Sequence, residues 1–186
     1  MRVCYTWFVL EKYKEKRDFE KTQEPRGENP RPVGAPPLLK GVDNRANKPP
    51  FAKGVPVGRG FLSFVIQHHF SRHVHFDFRL EHKGVLLSWA VPKGVSTDPR
   101  DKRLAIHVED HPLEYRHFEG VIPEGEYGAG EVKIWDKGWY EPLTDVEGAL
   151  AGRHALKIML HGEKLDGLWT LVQTKRDPKQ WLLIAG

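Results

Sequence analysis

The segment HVHFDFRL, residues 73–80, alternates polar and apolar side chains without interruption. Because side chains two residues apart on a β-strand lie on the same face, the pattern predicts a strand with one apolar and one polar face. The polar face carries His73, His75, Asp77 and Arg79. Imidazole, carboxylate and guanidinium groups in one column, about 6–7 Å between neighbours, can bind a divalent metal ion and hold a phosphate.

Two more imidazoles, those of His68 and His69, precede this strand. They follow Gln67 in the loop before it. Neutral imidazole nitrogen and carboxylate oxygen are suitable ligands for borderline divalent ions without any thiolate. Two histidines and one aspartate leave coordination positions open for a substrate, as in catalytic metal sites. The alternative is a strand whose polar face is simply solvated, which is common in antiparallel sheets.

Later segments supply cations and proton donors. The candidates are Lys93 at the turn that ends SWAVPKG, Lys102 and Arg103 at the start of a strand, and His111 and Tyr115 around the proline of EDHPLEY. Each is a weak indication, because a lysine in a turn is more often solvated than bound to phosphate. Together they would give charge-assisted hydrogen bonds to a phosphoryl group.

Short apolar runs separated by Gly, Pro and Asp follow residue 60 and predict the strands that position these side chains. The predicted strands are Phe61–Ile66, His73–Leu80, Val85–Val91, Arg103–Val108, Tyr115–Glu119, Glu131–Asp136, Ala155–Leu160, Leu168–Thr174 and Trp181–Ile184. Turn sequences such as Lys83-Gly84 separate them. The spacing is typical of an all-β barrel or sandwich. The fold we predict is a small closed or nearly closed β-barrel with a short N-terminal helix or arm.

The N-terminal third has a different texture. Residues 5–21 predict a short helix ended by Pro25, and residues 25–60 form a Pro- and Gly-rich extended linker. Lys and Arg number 29 against 25 Asp and Glu, and the basic excess lies in this third. It suits a phosphate backbone, the alternative being a linker with lysines for solubility. We therefore divide the chain into an arm and linker, 1–60, and a barrel domain, 61–186.

Length and composition exclude several classes of protein. The 186 residues suit one domain. No apolar run approaches the roughly 20 residues that span a bilayer, and 39% hydrophobic residues argue against general disorder. Cys4 is the single cysteine, so an internal disulfide framework is excluded and we expect a reducing cytoplasm.

Several long motifs, in order, resemble the 3'-phosphoesterase domain of bacterial DNA ligase D. They are FVIQHHFSRHVHFDFRLE (64–81), SWAVPKG (88–94), KRLAIHVEDHPLEY (102–115), FEGVIPEGEYGAGEV (118–132) and WDKGWYEP (135–142). KRDFEKTQEPRG, residues 16–27, is similar to the N-terminal motif of that family. The match is dense over residues 61–142 and looser over 150–186.

The resemblance implies a small β-barrel enzyme that heals DNA 3' ends with manganese or a similar divalent ion. Such an enzyme removes a 3'-terminal ribonucleoside and then the 3'-phosphate, leaving a 3'-OH. His69, His75 and Asp77 match the metal ligands, and Arg79 and His111 match the groups that grip the scissile phosphate. The supporting positions that match are Lys93, Arg103, Tyr115, Arg17, Asp18 and Glu24.

The expected substrates are primer-template ends that carry a 3'-ribonucleotide or a 3'-phosphate. Because the sequence contains no polymerase or ligase module, we expect such enzymes to act on the same ends in trans. The expected state is a monomer in the cytoplasm, associated with the nucleoid and not with a membrane.

Two other functions fit parts of the sequence. His75 and Asp77 with a distant histidine, His111 or His154, would satisfy the facial triad of an Fe(II)/2-oxoglutarate oxygenase. A non-catalytic barrel that binds single-stranded nucleic acid would explain the basic arm. This second alternative leaves the column of histidine and aspartate side chains without a purpose.

Overall fold

A computed structural model describes residues 10–27 and 62–186 of the chain. Its elements are α1 (Glu11–Glu15), β1 (Leu62–Ser71), β2 (His75–His82), β3 (Val85–Val91), β4 (Arg103–His107), β5 (His111–Pro112), a 3-10 helix (Leu113–His117), β6 (Gly120–Ile122), β7 (Gly130–Pro142), α2 (Val146–Leu150), β8 (Leu156–Gly162), β9 (Asp166–Gln173) and β10 (Gln180–Ala185). Within these residues, no helix has both the length and the apolar character needed to cross a membrane.

Eight antiparallel strands close into a barrel. Their order is β1-β2-β3-β4-β10-β9-β8-β7, and β7 pairs with β1 to complete the ring. The short strands β5 and β6 pair with β3 and β7 outside this ring. The predicted all-β fold with a closed barrel is therefore confirmed.

Alternate side chains of the strands fill the barrel interior. Phe64 and Ile66 of β1, Phe78 of β2, Trp89 of β3 and Trp181 of β10 are almost completely buried there. An eight-stranded barrel is just wide enough for its interior to be filled by side chains. The β2–β3 hairpin is tight because Lys83 and Gly84 both have positive φ angles, 48° and 86°, as a type I' turn requires.

A second apolar cluster covers the opposite face of β1–β3. Its members come from the N-terminal segment, from β3, from the segment after β5 and from β7: Leu10, Tyr13, Val85, Leu86, Leu113, Tyr115, Phe118, Ile122 and Val132. These side chains shield the polar face of β2, where Asp77 is 5% and Arg79 2% exposed. The alternative of a solvated polar face is therefore wrong.

The first strand is longer than predicted, and the difference matters for the site. β1 continues through Ser71, so Gln67, His68 and His69 lie on a strand rather than in a loop. Pairing with β2 places Gln67 opposite Asp77 and His69 opposite His75. β2 itself begins two residues later than predicted, at His75.

The predicted strand Tyr115–Glu119 is wrong. Residues 113–117 form the 3-10 helix, and Gln67 Nε2 donates to the carbonyl oxygens of Tyr115 (3.1 Å) and Phe118 (2.8 Å). These carbonyl groups are satisfied by a buried amide instead of a neighbouring strand. Burial of Tyr115 against the polar face of β2 outweighs the β-propensity of its segment.

The predicted short N-terminal helix is present, but it is shorter than predicted where the two can be compared. Only Glu11–Glu15 is helical between residues 10 and 27, and the backbone amides of Lys21 and Thr22 donate to the Asp18 carbonyl in a turn. The chain leaves the helix because the buried contacts of Arg17 outweigh helix propensity. Residues 5–9 of the predicted helix, and the linker from residue 28 to 60, lie outside the described residues.

Candidate active site

Three side chains meet beside the turn of the β1–β2 hairpin, and we call them the His–Asp cluster: His69, His75 and Asp77. The Asp77 carboxylate lies 3.6 Å from His69 Nδ1 through Oδ2, and 3.6 Å from His75 Nε2 through Oδ1. All three ligand atoms lie within 4.8 Å of one another. The cluster is therefore a set of groups that can hold a metal ion, as predicted.

Hydrogen bonds on the far side of each ring determine where the lone pairs lie. His69 Nε2 is 2.8 Å from the Gly128 carbonyl oxygen, and His75 Nδ1 is 2.7 Å from the His73 carbonyl oxygen. A carbonyl oxygen only accepts, so these two nitrogens carry the protons. The ring nitrogens on the side of Asp77 are therefore His69 Nδ1 and His75 Nε2, the atoms that would bind a metal ion. Imidazoles fixed in this way are typical of metal ligands.

Asp77 also pairs with a buried guanidinium. Arg79 Nη2 donates to Asp77 Oδ2 at 3.0 Å, Nε donates to Gln67 Oε1 at 2.8 Å, and Nη1 donates to Ser88 Oγ at 2.9 Å. The guanidinium carbon is 4.7 Å from the Tyr115 ring centroid. Burial opposes ionisation of Asp77, but Arg79 and the two imidazoles hold the pKa of this carboxyl well below its usual range. The cluster therefore presents an anionic ligand.

His111 lies next to this network as a neutral imidazole. Its Nδ1 is 2.9 Å from the Glu109 carbonyl oxygen, and its Nε2 is 3.2 Å from Arg17 Nη2. Burial, together with the charges of Arg79 and Arg17, holds the pKa of His111 well below its ordinary value. Nδ1 therefore donates to the carbonyl, and Nε2 accepts from Arg17.

The N-terminal segment completes the site through Arg17. Its Nε donates to Glu24 Oε1 at 2.8 Å, and its Nη1 donates to the Tyr13 carbonyl at 2.9 Å and lies 3.4 Å from Glu109 Oε1. Thr22 Oγ1 donates to the other oxygen of Glu24 at 3.0 Å. The segment thus holds a guanidinium against His111 with two buried carboxylates.

Three predicted site residues lie apart from this network. Asp18 is at the turn after α1 and pairs with Lys21 at 2.9 Å. Lys93 is exposed in the turn after β3. Arg103 begins β4 and donates to Asp101 at 2.7 Å. In residues 10–27 and 62–186, the contacts of these three side chains do not join them to the His–Asp cluster.

The network also contains three residues for which the sequence predicted no role in the site: Gln67, Ser88 and Glu109. Gln67 precedes His69 by two residues on β1, and Ser88 is paired with Arg79 across β2 and β3. Strand alternation could have indicated the first, but the second depends on the register. Glu109 joins Lys16 at 3.0 Å and Arg17 across a sequence separation that no local pattern reveals.

The facial triad of an oxygenase with a distant histidine is not assembled. His111 Nε2 is engaged by Arg17, and His154 is an exposed residue whose Nδ1 lies 3.1 Å from the Ala155 carbonyl oxygen. The second imidazole beside His75 and Asp77 is His69, the adjacent strand's partner. The cluster is therefore local to one hairpin.

Neutral His111 should make stability depend on pH. Its folded pKa is lowered, so below the ordinary pKa of about 6.5 the unfolded chain binds a proton that the folded chain does not. As the pH decreases in this range, His111 therefore lowers the free energy of unfolding by up to about 1.4 kcal/mol for each pH unit. His111→Asn removes this contribution. The difference in urea-unfolding free energy between wild type and variant should narrow from pH 7.5 to 5.5.

The matched control for loss of one imidazole is His154→Asn, at an exposed position. Its difference from wild type should stay constant over the same range. A constant difference for His111→Asn as well would contradict a neutral His111.

Comparison with known proteins places this geometry in a family. Residues 67–173 match the family model described as the DNA Ligase D 3'-phosphoesterase domain. The chain is 44% identical over 177 residues to a multifunctional non-homologous end joining protein LigD of Pseudomonas aeruginosa. The aligned region covers 94% of this chain and 18% of the relative. It is 45% identical over 138 residues to a LigD protein of Mycolicibacterium smegmatis, and this region covers 72% of the chain and 18% of the relative.

A LigD protein of Mycobacterium tuberculosis is 42% identical over 173 residues, covering 93% of this chain and 19% of the relative. The chain thus spans about a fifth of the length of these curated relatives. The family match includes residues 67–71 of β1, all of β2 and the segment that carries His111 and Tyr115, which contribute to the site described above. The chain therefore belongs to the DNA ligase D 3'-phosphoesterase domain family.

Proposed function

We propose that this chain is a metal-dependent phosphoesterase that heals DNA 3' ends in non-homologous end joining. It removes a 3'-terminal ribonucleoside, then hydrolyses the remaining 3'-phosphate to leave a 3'-OH. The observation that carries the proposal is the His–Asp cluster, in which two imidazole nitrogens each lie 3.6 Å from an ionised carboxylate and a guanidinium donates to that carboxylate at 3.0 Å. The family and the names of its relatives support the same reaction class.

The ion we propose is Mn2+ or another divalent transition metal, held by His69, His75 and Asp77. Two imidazole nitrogens and one carboxylate oxygen suit such an ion, and three protein ligands leave positions for substrate. A bound divalent ion would polarise a phosphoryl oxygen and lower the pKa of a coordinated water.

Arg79 is proposed to bind the scissile phosphate while it holds Asp77. A guanidinium has five N–H donors, and the contacts of Arg79 within the described residues use one on each of its three nitrogens. Donors therefore remain for phosphate oxygens. Because the side chain is fixed by Gln67 and Ser88, charge that grows on the phosphoryl group meets a donor already in place.

His111 is proposed to bind the phosphate and to give a proton to the leaving oxygen. In the protein alone, burial and then the positive charges of Arg79 and Arg17 disfavour the imidazolium form of His111 and lower its pKa. A bound phosphate opposes both positive charges, so the pKa of His111 should rise when substrate enters. The imidazole then has a proton on Nε2 to donate, at the time when the reaction needs it.

The remaining site residues are proposed in supporting roles. Arg17 and Glu24 position His111 through the N-terminal segment, and Tyr115 packs against Arg79. Asp18, Lys93 and Arg103 are proposed to contact the DNA or the phosphate once substrate is bound. Residues 1–60 would then act as an arm over the catalytic barrel formed by residues 61–186.

The proposed substrates are primer-template ends with a 3'-ribonucleotide or a 3'-phosphate. A repair polymerase or ligase would use the 3'-OH that this chain produces. We place this work on chromosomal DNA in the cytoplasm, in a monomeric enzyme.

The direct test offers a primer-template with a 3'-phosphate and Mn2+ to wild type and to His111→Ala. Wild type should release phosphate, and the variant should lose at least a hundredfold in rate, the upper end of what a positioned acid or base contributes being about 10⁴. Mn2+ affinity, measured by calorimetry, should be the same in both proteins. Release of succinate from 2-oxoglutarate, or metal-independent DNA binding without turnover, would contradict the proposal.

A further inference from the structure

The β1–β2 hairpin that carries the His–Asp cluster has an aromatic opposite face. Adjacent residues on a strand point to opposite sides, so His68 and Phe76 lie behind His69 and His75. We call His68, Phe70, Phe76 and Trp135 the aromatic row. His68 is 4.3 Å from Phe76 with an interplanar angle of 10°, and 3.9 Å from Phe70, between ring centroids. Phe76 and Trp135 are 5.5 Å apart, edge to face.

The outer end of the aromatic row lies at the surface. Phe70 is 41% exposed, and its neighbour at the hairpin turn, Val74, is 53% exposed. The inner end packs against the barrel core through Phe76 and Trp135. The row therefore leads from a rigid, buried base to an exposed phenyl ring, which core packing does not require.

Lysines flank the row. Lys133 Nζ lies 5.6 Å from the Phe70 ring centroid and 3.0 Å from the Glu131 carboxylate. Lys164 Nζ lies 4.7 Å from the Trp135 ring centroid, and the turn that carries exposed Lys93 packs on Phe76 through Gly94. Exposed aromatic rings among cations are the features with which proteins bind unpaired nucleotides, by stacking on bases and attracting phosphates.

A recessed 3' end is a junction between duplex and single-stranded DNA. One strand stops at the group to be removed, and the other continues as unpaired template. The hairpin is a single sheet layer, so its side chains project from two opposite faces. A group bound at the His–Asp cluster and a base bound at Phe70 would lie on opposite sides of the same two strands.

We propose that the β1–β2 hairpin separates the two strands at a recessed 3' end. The terminal 3' group lies at the His–Asp cluster, and the first unpaired template base stacks on Phe70 with Lys133 and Lys164 beside its backbone. This inference rests on the proposed function for the 3' strand. What it adds is a binding site for the template strand, formed by Phe70, Lys133 and Lys164.

The test compares Phe70→Ala with wild type on two 3'-phosphate substrates in Mn2+. On a recessed duplex with a 5' overhang, kcat/KM should fall about tenfold, as expected for loss of one stacked base. On a single-stranded oligonucleotide, which has no template, kcat/KM should be unchanged. Phe70→Trp should retain wild-type values on both. Leu143→Ala is the matched control, because Leu143 is equally exposed at 41% beyond the far end of β7.

Fluorescence anisotropy gives a second readout that does not require hydrolysis. Wild type should bind a labelled duplex with an unpaired 5' overhang about tenfold more tightly than a blunt duplex of equal length, and Phe70→Ala should lose this difference. The inference would be overturned if Phe70→Ala lowered kcat/KM equally on both substrates, or lowered affinity equally for both duplexes. It would also be overturned if the variant matched wild type in both assays. Absence of phosphate release by wild type would instead overturn the proposed function, and the anisotropy result would still decide the template site.

Discussion

Replacing His75 by alanine should nearly abolish phosphate release while leaving the barrel folded. The imidazole is only partly buried, and its Nε2 lies 3.6 Å from the Asp77 carboxylate. Loss of a ligand weakens metal binding by more than the 10–100-fold that loss of an outer partner costs. If the metal supplies about 4 kcal/mol of transition-state stabilisation, the rate should fall on the order of a thousandfold. Calorimetric titration with Mn2+ and a phosphate-release assay measure the two effects.

The matched control is His73→Ala, two residues earlier in the chain. His73 is exposed, and it contributes its backbone carbonyl to His75. Because that carbonyl remains after the substitution, metal affinity and rate should both stay at wild-type values. Wild-type Mn2+ affinity in His75→Ala would show that the cluster is not the metal site.

Replacing Arg79 by alanine should cost both stability and activity. The substitution leaves Asp77 buried without its cation, which typically costs about 3–5 kcal/mol of unfolding free energy. Arg79→Lys keeps a positive charge but cannot donate to Gln67, Ser88 and Asp77 from one planar group. The lysine variant should therefore recover much of the stability and remain at least a hundredfold slower than wild type.

Urea denaturation and steady-state phosphate release separate these two losses. Arg100→Ala is the control, since this guanidinium is 89% exposed and pairs with Asp98. It should change neither quantity appreciably, because exposed ion pairs contribute little. Equal activity in Arg79→Lys and wild type would show that the several hydrogen bonds of the planar Arg79 guanidinium are not needed for phosphate release.

The sequence predicted which side chains share a face of β2, but not what surrounds that face. Alternation alone placed Asp77 and Arg79 on one face, because period 2 is a property of any strand. It could not predict that this face is buried. That burial depends on Tyr13 and Tyr115, which come from distant parts of the chain and pack over the strand by tertiary contacts.

The register between strands was also beyond the sequence. His69 joins His75 because β1 continues to Ser71 and pairs residue for residue with β2. A strand pattern rarely indicates where pairing ends, since Ser71 and Phe70 fit a loop equally well. The 3-10 helix was missed for a similar reason, as the amide of Gln67 satisfies its carbonyl groups from another strand.

β1 and β2 have a consequence for how this protein can change over evolutionary time. Phe64 and Phe78 pack in the barrel core on one side of these strands, while Gln67 and Arg79 belong to the candidate site on the other. Substitutions that thermostabilise the interior can therefore accumulate with little trade-off against turnover, provided the backbone spacing holds. Directed evolution for greater thermal stability should therefore select substitutions at the interior positions of β3, β8 and β10.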